Sequence, residues 1–356
     1  MPVPTETDLG VRRLLAAAGQ APSIHNTQPW RFRITPNAVE LLADPDRRLR
    51  TTDPRGRSLH VSCGAALFNL RLAVRVAGYR PLSWPLPDPQ TDPRLLAVVH
   101  MPYAGPPTPL EQELYANIGK RRTNREPFDD RRVPSWVLAD LRIAASREGA
   151  NLVLLGGRGS ADLLDYVAMA EGELAGDHDY LAELRAWTMR GKHRDGLPGY
   201  VLGPRPAGDS AAVRDFGTHP ARPDARFERH PQIAVLTTSG DRPVDWLRAG
   251  QALQRVLLLA SAHGVSASFL NQPLDLRDMR HRVDPHHRRG HPQMIIRFGY
   301  GPCVPRAPRR PPVELRTGRG LRPWPRGLPA RRCGGRDRLR RGVRPQVVRL
   351  VAGQEN

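Results

Sequence analysis

The sequence lacks the features that would place it outside the cell, in a membrane or around a structural metal. Only three of its 356 residues are cysteines, Cys63, Cys303 and Cys333, and none forms a C-x-x-C pair. This set gives no disulfide framework and argues against structural zinc. The chain begins MPVPTETDLG, without the basic start and apolar run of a secretory signal. No stretch approaches the ~18–20 apolar residues that span a bilayer. We therefore expect a soluble, cytoplasmic protein without a membrane partner.

The motifs of several enzyme classes are also missing. There is no G-x-S-x-G and no recognisable Cys–His pair. The segment GGRGS at residues 156–160 has no Walker lysine, so a turn is predicted there. The histidines His281, His286, His287 and His291 follow no standard metal-ligand spacing, and we expect no bound metal.

Positive charge is abundant but unevenly spread. Residues 315–356 contain twelve arginines and two acidic residues, Asp337 and Glu355. This segment therefore carries a net charge of +10, half of the +20 of the whole chain. This Arg-, Pro- and Gly-rich tail has little apolar periodicity and cannot bury enough surface to fold alone. We interpret it as a disordered extension, or as a GC-rich gene read out of frame beyond Glu314. Nucleic-acid binding by the tail is a disfavoured alternative. The moderate excess of positive charge in the rest of the chain suits an anionic cofactor.

The hydrophobic pattern divides the chain into two similar series of elements, each running helix, strands, long helix, strand. In the first, strands WRFRI and VELLA meet at a turn, and a helix is predicted from Ser58 to Ala77. In the second, strand QIAVLTT precedes a helix predicted from Asp245 to His263. We predict an α+β fold of two tandem modules with mixed sheets flanked by helices. The modules cover residues 1–103 and 110–314, and the irregular segment 188–230 is predicted to be a lid or binding loop.

Three polar or basic segments are candidates for chemistry. The loop APSIHNTQPW at residues 21–30 lies between a helix and a strand, where backbone amides can meet a ligand. The run KRRTNREPF at residues 120–128 offers several guanidiniums for a phosphate dianion. A further basic pair, Arg309 and Arg310, follows the last strand. Taken singly, the loop is equally compatible with an ordinary helix-to-strand turn in which Trp30 packs into the core. The two basic segments, taken singly, are better explained as solvated turns.

In combination, these segments resemble the FMN-dependent nitroreductases. APSIHNTQPW resembles their APS-x-x-N-x-QPW motif, KRRTNREPF their RRS-x-R-x-F motif, and GYGPCVPRAPRRP their C-terminal phosphate-binding turn. The resemblance covers about residues 8–314. In ordinary members RRS-x-R precedes APS-x-x-N, and two subunits complete each flavin site. Here the order is reversed, which is similar to the fused, two-module Acg-like nitroreductases. The resemblance implies an internal pseudo-dimer, expected to be a monomer, with one FMN per chain and a degenerate second site.

The resemblance also implies the residues of the flavin site. The phosphate would contact Arg121, Arg122, Thr123 and Arg125, joined by Arg309 or Arg310. The ring would be lined by Pro22, Ser23, Ile24 and Asn26, with Gln28 in the same loop, and approached by Phe269, Leu270, Asn271 and Gln272. This last segment departs from the family's P-x-E-G. No catalytic side chain is assigned, because the family's chemistry takes place on flavin N5.

The implied activity is hydride transfer from NAD(P)H through the flavin to a small acceptor such as a nitro compound or quinone. No nicotinamide motif is readable. The alternative is a non-catalytic protein that sequesters FMN beneath the 188–230 segment. In that alternative Trp187, Tyr200 and Phe216 are candidates to cover the ring, although each is better explained as a residue that anchors the loop by packing.

Overall fold

The computed structural model describes residues 3–188, 194–207, 214, 216, 222–276 and 290–317. Most of the predicted tail, parts of the predicted lid, and His281, His286 and His287 therefore lie outside the described residues. We refer to residues 3–104 as the first half and to residues 109–317 as the second half.

The first half is a four-stranded antiparallel sheet packed against helices. Helix α1 begins where the side chain of Thr7 accepts a hydrogen bond from the backbone N–H of Gly10. The strands lie in the order β1-β2-β4-β3, and Trp30 pairs with Ala43 across the first hairpin. The elements are α1 (Asp8–Ala18), β1 (Trp30–Thr35), β2 (Ala38–Ala43), α2 (Arg57–Val76), β3 (Tyr79–Pro85) and β4 (Leu95–Ala104).

The second half contains a sheet of the same topology, in the order β5-β8-β10-β9. Helix α5 begins at Gly157, so the turn predicted at residues 156–160 is wrong: all but Gly156, the N-cap, are helical. The elements are α3 (Pro109–Ile118), α4 (Ser135–Ser146), β5 (Asn151–Leu154), α5 (Gly157–Ala175), α6 (His178–Trp187), β6 (Arg205–Pro206), β7 (Asp224–Ala225), β8 (Gln232–Thr238), α7 (Pro243–Ala262), β9 (Ser266–Phe269), α8 (Gln272–Asp275), β10 (His291–Gly299) and α9 (Pro312–Leu315).

All strand pairings in both four-stranded sheets are antiparallel, and one isolated parallel bridge adjoins each sheet. Arg316 bridges Phe32 in β1, and Thr123 bridges Ala267 in β9. The bridge to Phe32 carries the end of the second half back onto the sheet of the first, where Thr317 N–H also donates to the Phe32 carbonyl at 2.8 Å. The two halves are thus joined by chain crossing as well as by packing. The predicted α+β class is confirmed.

Two 20-residue helices, α2 and α7, pack directly against each other at the junction between the halves. A β-carbon on Gly64 of α2 would lie 2.2 Å from the Leu247 carbonyl oxygen, and one on Gly250 of α7 would lie 2.0 Å from the Val61 carbonyl oxygen. Only glycine permits such a close approach of the two backbones. The contact is reciprocal, because each glycine faces the residue three positions before the other.

Helix α2 is more apolar than the sequence reading allowed. By length and composition it could cross a membrane, yet 78% of its most apolar 18-residue window is buried inside the protein. Cys63, Leu67 and Leu70 are almost fully buried in a core that also includes Leu247 and Leu258 of α7. These features are those of a core helix surrounded on most sides by protein.

Candidate functional site

A large cavity lies where the two halves meet, with an empty volume of about 1450 Å³ that includes solvent at its mouth. Helix α2 contributes Ser58, Val61 and Ser62, and α7 contributes Leu253. The described parts of the predicted lid also reach the wall, among them Leu197 and Phe216. Eleven of the predicted cofactor residues line the cavity: Pro22, Ser23, Ile24, Asn26, Arg121, Arg122, Thr123, Arg125, Phe269, Asn271 and Arg309.

The loop after α1 has an unusual backbone. His25, Asn26 and Gln28 all adopt positive φ angles, of 44°, 55° and 50°. Such conformations in residues other than glycine each cost about 1–3 kcal/mol and persist only where the surroundings impose them. Here the Ser62 hydroxyl accepts from the Ile24 N–H at 3.2 Å, and the Ser23 hydroxyl accepts from the Gln28 N–H at 2.9 Å. The loop is therefore held in a strained shape at the cavity wall.

Asn26 ties three parts of the chain together beside the cavity. Its amide nitrogen donates to the carbonyls of Gly196 at 2.9 Å and Pro308 at 3.0 Å. Its amide oxygen accepts from Arg309 at 2.7 Å. Both amide protons are thereby used, so Asn26 orients Arg309 and fastens the 194–207 segment to the first half.

A first group of arginines, Arg121, Arg122, Arg306 and Arg309, lies at one part of the cavity. Arg121 is only 6% exposed, and its Nε and one terminal nitrogen have no hydrogen-bond partner among the described residues. Burial, with Arg122 and Arg306 adding repulsion, lowers the pKa of Arg121 to about 10. Burial and the other three arginines lower the pKa of Arg309 to about 9. Buried, mutually repelling guanidiniums of this kind need an anion.

A second group consists of Arg125, Arg214 and Arg222, and two of these arginines lie near the ring of Phe216. The guanidinium carbons of Arg125 and Arg222 lie 5.4 Å and 5.9 Å from the ring centroid. Burial, followed by repulsion from Arg214 and Arg222, lowers the pKa of Arg125 to about 10. Arg214 donates to Asp275 at 2.5 Å and to the Tyr180 hydroxyl at 2.8 Å. Although the motif groups Arg125 with the phosphate ligands, its charged neighbours belong to this second group.

His25 belongs to the loop after α1, lies beside Arg214 of the second group and is only 8% exposed. Its Nε2 is 3.4 Å from a terminal nitrogen of Arg214. A guanidinium can only donate, so Nε2 accepts and the ring proton resides on Nδ1. Burial, then repulsion from Arg214 and Arg125, lowers the pKa of His25 well below its usual value. His25 is therefore neutral at pH 7.

Four predicted residues do not line the cavity. Leu270 belongs to a separate hydrophobic cluster with Ile295, and Gln272 is fully buried. The Gln28 amide donates to the Arg194 carbonyl at 2.9 Å and accepts from the Arg310 N–H at 2.9 Å. Gln28 and Arg310 thus hold the loop and the C-terminal segment together behind the cavity wall. Of the residues suggested as ring covers, Phe216 lines the cavity, whereas Tyr200 is 60% exposed and, like Trp187, is absent from the lining.

Sequence reasoning missed several lining residues, including Ser58, Ser62, Arg214, Arg222 and Arg306. Arg306 belongs to the basic turn already singled out, three residues before Arg309, so a wider reading of that turn would have found it. The serines lie on α2, where the apolar stripe gave no sign of a polar face. Arg214 and Arg222 lie in the irregular segment, where no pattern predicts which residues turn inward.

Comparison with known proteins decides the family. No family model matches the chain. The provisionally named NAD(P)H nitroreductase Rv3131 of Mycobacterium tuberculosis is 34% identical over 331 residues, covering 91% of this chain and 94% of the relative. The provisionally named NAD(P)H nitroreductase acg of the same organism is 30% identical over 320 residues, covering 86% and 94%. The chain belongs to the nitroreductase family. The fold family predicted from the motifs is thereby confirmed.

The nitroreductase chain also resembles solved structures. A nitroreductase with bound FMN from Bacteroides fragilis is 13% identical at a TM-score of 0.33, covering 53% of this chain and 89% of that one. A provisionally named nitroreductase from Anabaena variabilis is 14% identical at a TM-score of 0.35, covering 83% and 74%.

Proposed function

We propose that the chain binds one FMN in the cavity between its halves and acts as an NAD(P)H-dependent reductase of nitro compounds, quinones or similar small acceptors. The observation that carries the proposal is the first arginine group, in which buried nitrogens of Arg121 and Arg309 have no hydrogen-bond partner among the described residues. A phosphate carries up to two negative charges and three strong acceptor oxygens, which fits this need. From the family relationship we infer that this phosphate is the phosphate group of a flavin.

The residues present fit FMN. Arg121, Arg122, Thr123 and Arg309 would hold the phosphate, with Arg306 as an addition to the motif set. Pro22, Ser23 and Ile24 from the first half, with Phe269 and Asn271 from the second, would line the ring. Gln28, Leu270, Gln272 and Arg310 support these residues from behind. No single half holds the whole set.

FMN, when bound, supplies two-electron chemistry between a reduced nicotinamide and an acceptor. The chain's own part is to bind, orient and exclude water. Apolar side chains of Val61, Ile118, Leu253 and Met294 line the cavity beside its polar groups. The neutral His25 and the strained loop give the site fixed hydrogen-bonding groups.

We propose further that the two halves are an internal pseudo-dimer, with modules at residues 1–103 and 110–314, and that the chain is a cytoplasmic monomer. The identical strand order of the two sheets and the reciprocal Gly64–Gly250 contact support this. A single chain would then supply both sides of the flavin site, which ordinary members complete with a second subunit.

A second candidate function is storage of FMN without turnover. It is favoured by the contacts of the 194–207 segment, in which Gly196 and Arg194 bind Asn26 and Gln28. Asp195 also pairs with Arg47 at 2.6 Å. These contacts hold Leu197 and Leu202 of the segment in the cavity wall, where they would restrict an acceptor's access to the flavin.

An absorbance spectrum under anaerobic conditions separates the two candidates. The purified chain, with FMN bound, is mixed with NADPH or NADH and afterwards with dithionite. Bleaching by a nicotinamide, reversed by a nitro compound or quinone, supports the reductase. Bleaching by dithionite alone contradicts the reductase and supports storage. Absence of bound flavin, even after FMN is added, would overturn both.

A further inference from the structure

His25 lines the cavity from a position for which the family resemblance implies no role. It lies between Ile24 and Asn26, at the second variable position of the APS-x-x-N motif. Its side chain is buried, and its backbone has a φ angle of 44°. A polar side chain held in a strained backbone conformation at a cavity wall is a candidate for contact with a ligand.

The position of the proton on the His25 ring is determined by Arg214. Arg214 donates to the Asp275 carboxylate at 2.5 Å and to the Tyr180 hydroxyl at 2.8 Å, and these bonds hold its guanidinium in place. The terminal nitrogen that donates to Tyr180 also lies 3.4 Å from Nε2 of His25. A guanidinium cannot accept a hydrogen bond, so Nε2 accepts and the neutral ring carries its one proton on Nδ1.

This Nδ1–H is a buried donor without a hydrogen-bond partner in the described part of the chain. Leaving such a donor unpaired is costly, and native proteins leave few buried polar groups in that state. The charged groups that act on His25 are Arg214 and Arg125, and both can only donate. A molecule bound in the cavity that His25 lines is the available source of an acceptor.

We propose that Nδ1–H of His25 donates a hydrogen bond to an uncharged acceptor oxygen of a planar molecule bound in the cavity. The inference rests on the proposed function and adds a binding residue to it. Two sources share this chemistry, a carbonyl oxygen of the flavin ring and a nitro or quinone oxygen of the electron acceptor. The experiments below separate them.

The proton on Nδ1 can be observed directly by NMR of the full chain labelled with ¹⁵N-histidine. The ring signals of His25 are those lost from the spectrum of His25→Gln. We expect a protonated Nδ1 and an unprotonated Nε2 at neutral pH, with the Nδ1 signal shifting when FMN, or 4-nitrobenzamide in the FMN-loaded chain, is added. A proton on Nε2, or an Nδ1 signal that neither addition shifts, would overturn the inference.

Two substitutions at His25 separate the roles of the two ring nitrogens. Glutamine can place an amide oxygen near the position of Nε2 and accept from Arg214, but it has no donor near Nδ1. Asparagine can place an amide N–H near Nδ1, and it tolerates a positive φ angle. We expect His25→Gln to weaken binding of the partner molecule about tenfold, and His25→Asn to restore it to within about threefold. The exposed His178→Gln is the matched control and should bind as the wild-type chain does.

Fluorescence titration with FMN, and reoxidation of the dithionite-reduced, FMN-loaded chain by 4-nitrobenzamide, identify the acceptor oxygen. Weaker FMN binding with a shifted flavin absorbance band in His25→Gln assigns the bond to the flavin. Unchanged FMN binding, with more 4-nitrobenzamide needed for half-maximal reoxidation, assigns it to the electron acceptor. If neither changes, or if His25→Asn behaves as His25→Gln does, the inference is wrong and the proposed function stands. A wild-type chain that binds no FMN would instead overturn the proposed function.

Discussion

Replacing a glycine by alanine where α2 and α7 cross could raise or lower stability, because helix propensity and packing act in opposite directions there. Alanine normally stabilises a helix relative to glycine by about 1 kcal/mol. At Gly64, however, the new β-carbon would lie 2.2 Å from the Leu247 carbonyl oxygen and 2.9 Å from the Cα of Gly250. Ordinary contacts begin near 3.4 Å, so the two helix backbones would have to separate by about 1.2 Å.

The clash should outweigh the gain in helix propensity. Overpacking typically costs about 1–3 kcal/mol, and more where the opposing atoms are backbone and cannot rotate away. We therefore expect Gly64→Ala to lower the free energy of unfolding by about 2 kcal/mol. Gly250→Ala, whose β-carbon would lie 2.0 Å from the Val61 carbonyl oxygen, should lose at least as much.

The assay is urea unfolding followed by circular dichroism, with Gly172→Ala as the matched control. Gly172 lies on the exposed side of α5, and a β-carbon there meets nothing within 4 Å. The control should therefore gain up to about 1 kcal/mol. A Gly64→Ala variant that is as stable as the wild-type chain, or that gains stability as the control does, would refute the close crossing of α2 and α7.

Three further predictions concern the cavity. Arg121→Gln should weaken FMN binding at least tenfold, because a buried guanidinium is lost from the proposed phosphate site; fluorescence titration with FMN measures this, and Arg13→Gln should bind normally. In the folded chain the pKa of His25 is lowered, whereas in the unfolded chain His25 binds a proton below about pH 6.5. Acidification therefore favours unfolding and lowers the free energy of unfolding by up to about 1.4 kcal/mol per pH unit for this group. His25→Gln removes this contribution, so its stability should fall less on acidification than that of the wild-type chain. Urea unfolding at pH 5.5 and 7.5 tests this, and the exposed His178→Gln should leave the wild-type slope unchanged. Asn26→Ala should lose about 2 kcal/mol of stability, because the carbonyls of Gly196 and Pro308 lose a donor; an unaltered urea midpoint would show that the 194–207 segment is not fastened there.

The long core elements could be predicted from the sequence because their patterns are strong. The sequence predicts helix α2 over residues 58–77, and the helix spans Arg57–Val76. The first hairpin turns at Pro36 and Asn37 as expected. Strand β3 was missed because Pro81 and Pro85 make Tyr79–Pro85 a poor strand by pattern. Its place at the edge of the sheet tolerates prolines, since one side needs no hydrogen bonds. Helix α6 was missed because it buries only Tyr180 and Leu184.

The candidate site could be predicted only in part. Short motifs located the loop at 22–26 and the basic run at 121–125, and both line the cavity. Sequence spacing could not predict which side of the wall each residue would face: Gln28 and Arg310 point away and bond each other. The second arginine group depends on Arg214 and Arg222 folding back across the cavity, a long-range contact that no local pattern indicates.

The most direct test of the central claim is the amount of flavin bound per chain. The purified protein is saturated with FMN, freed of excess by gel filtration and heated to release the flavin, which is then quantified against protein concentration. A single site shared between the halves predicts one FMN per chain, released from a monomer. Two FMN per chain would contradict a degenerate second site, and none would contradict the flavin site itself.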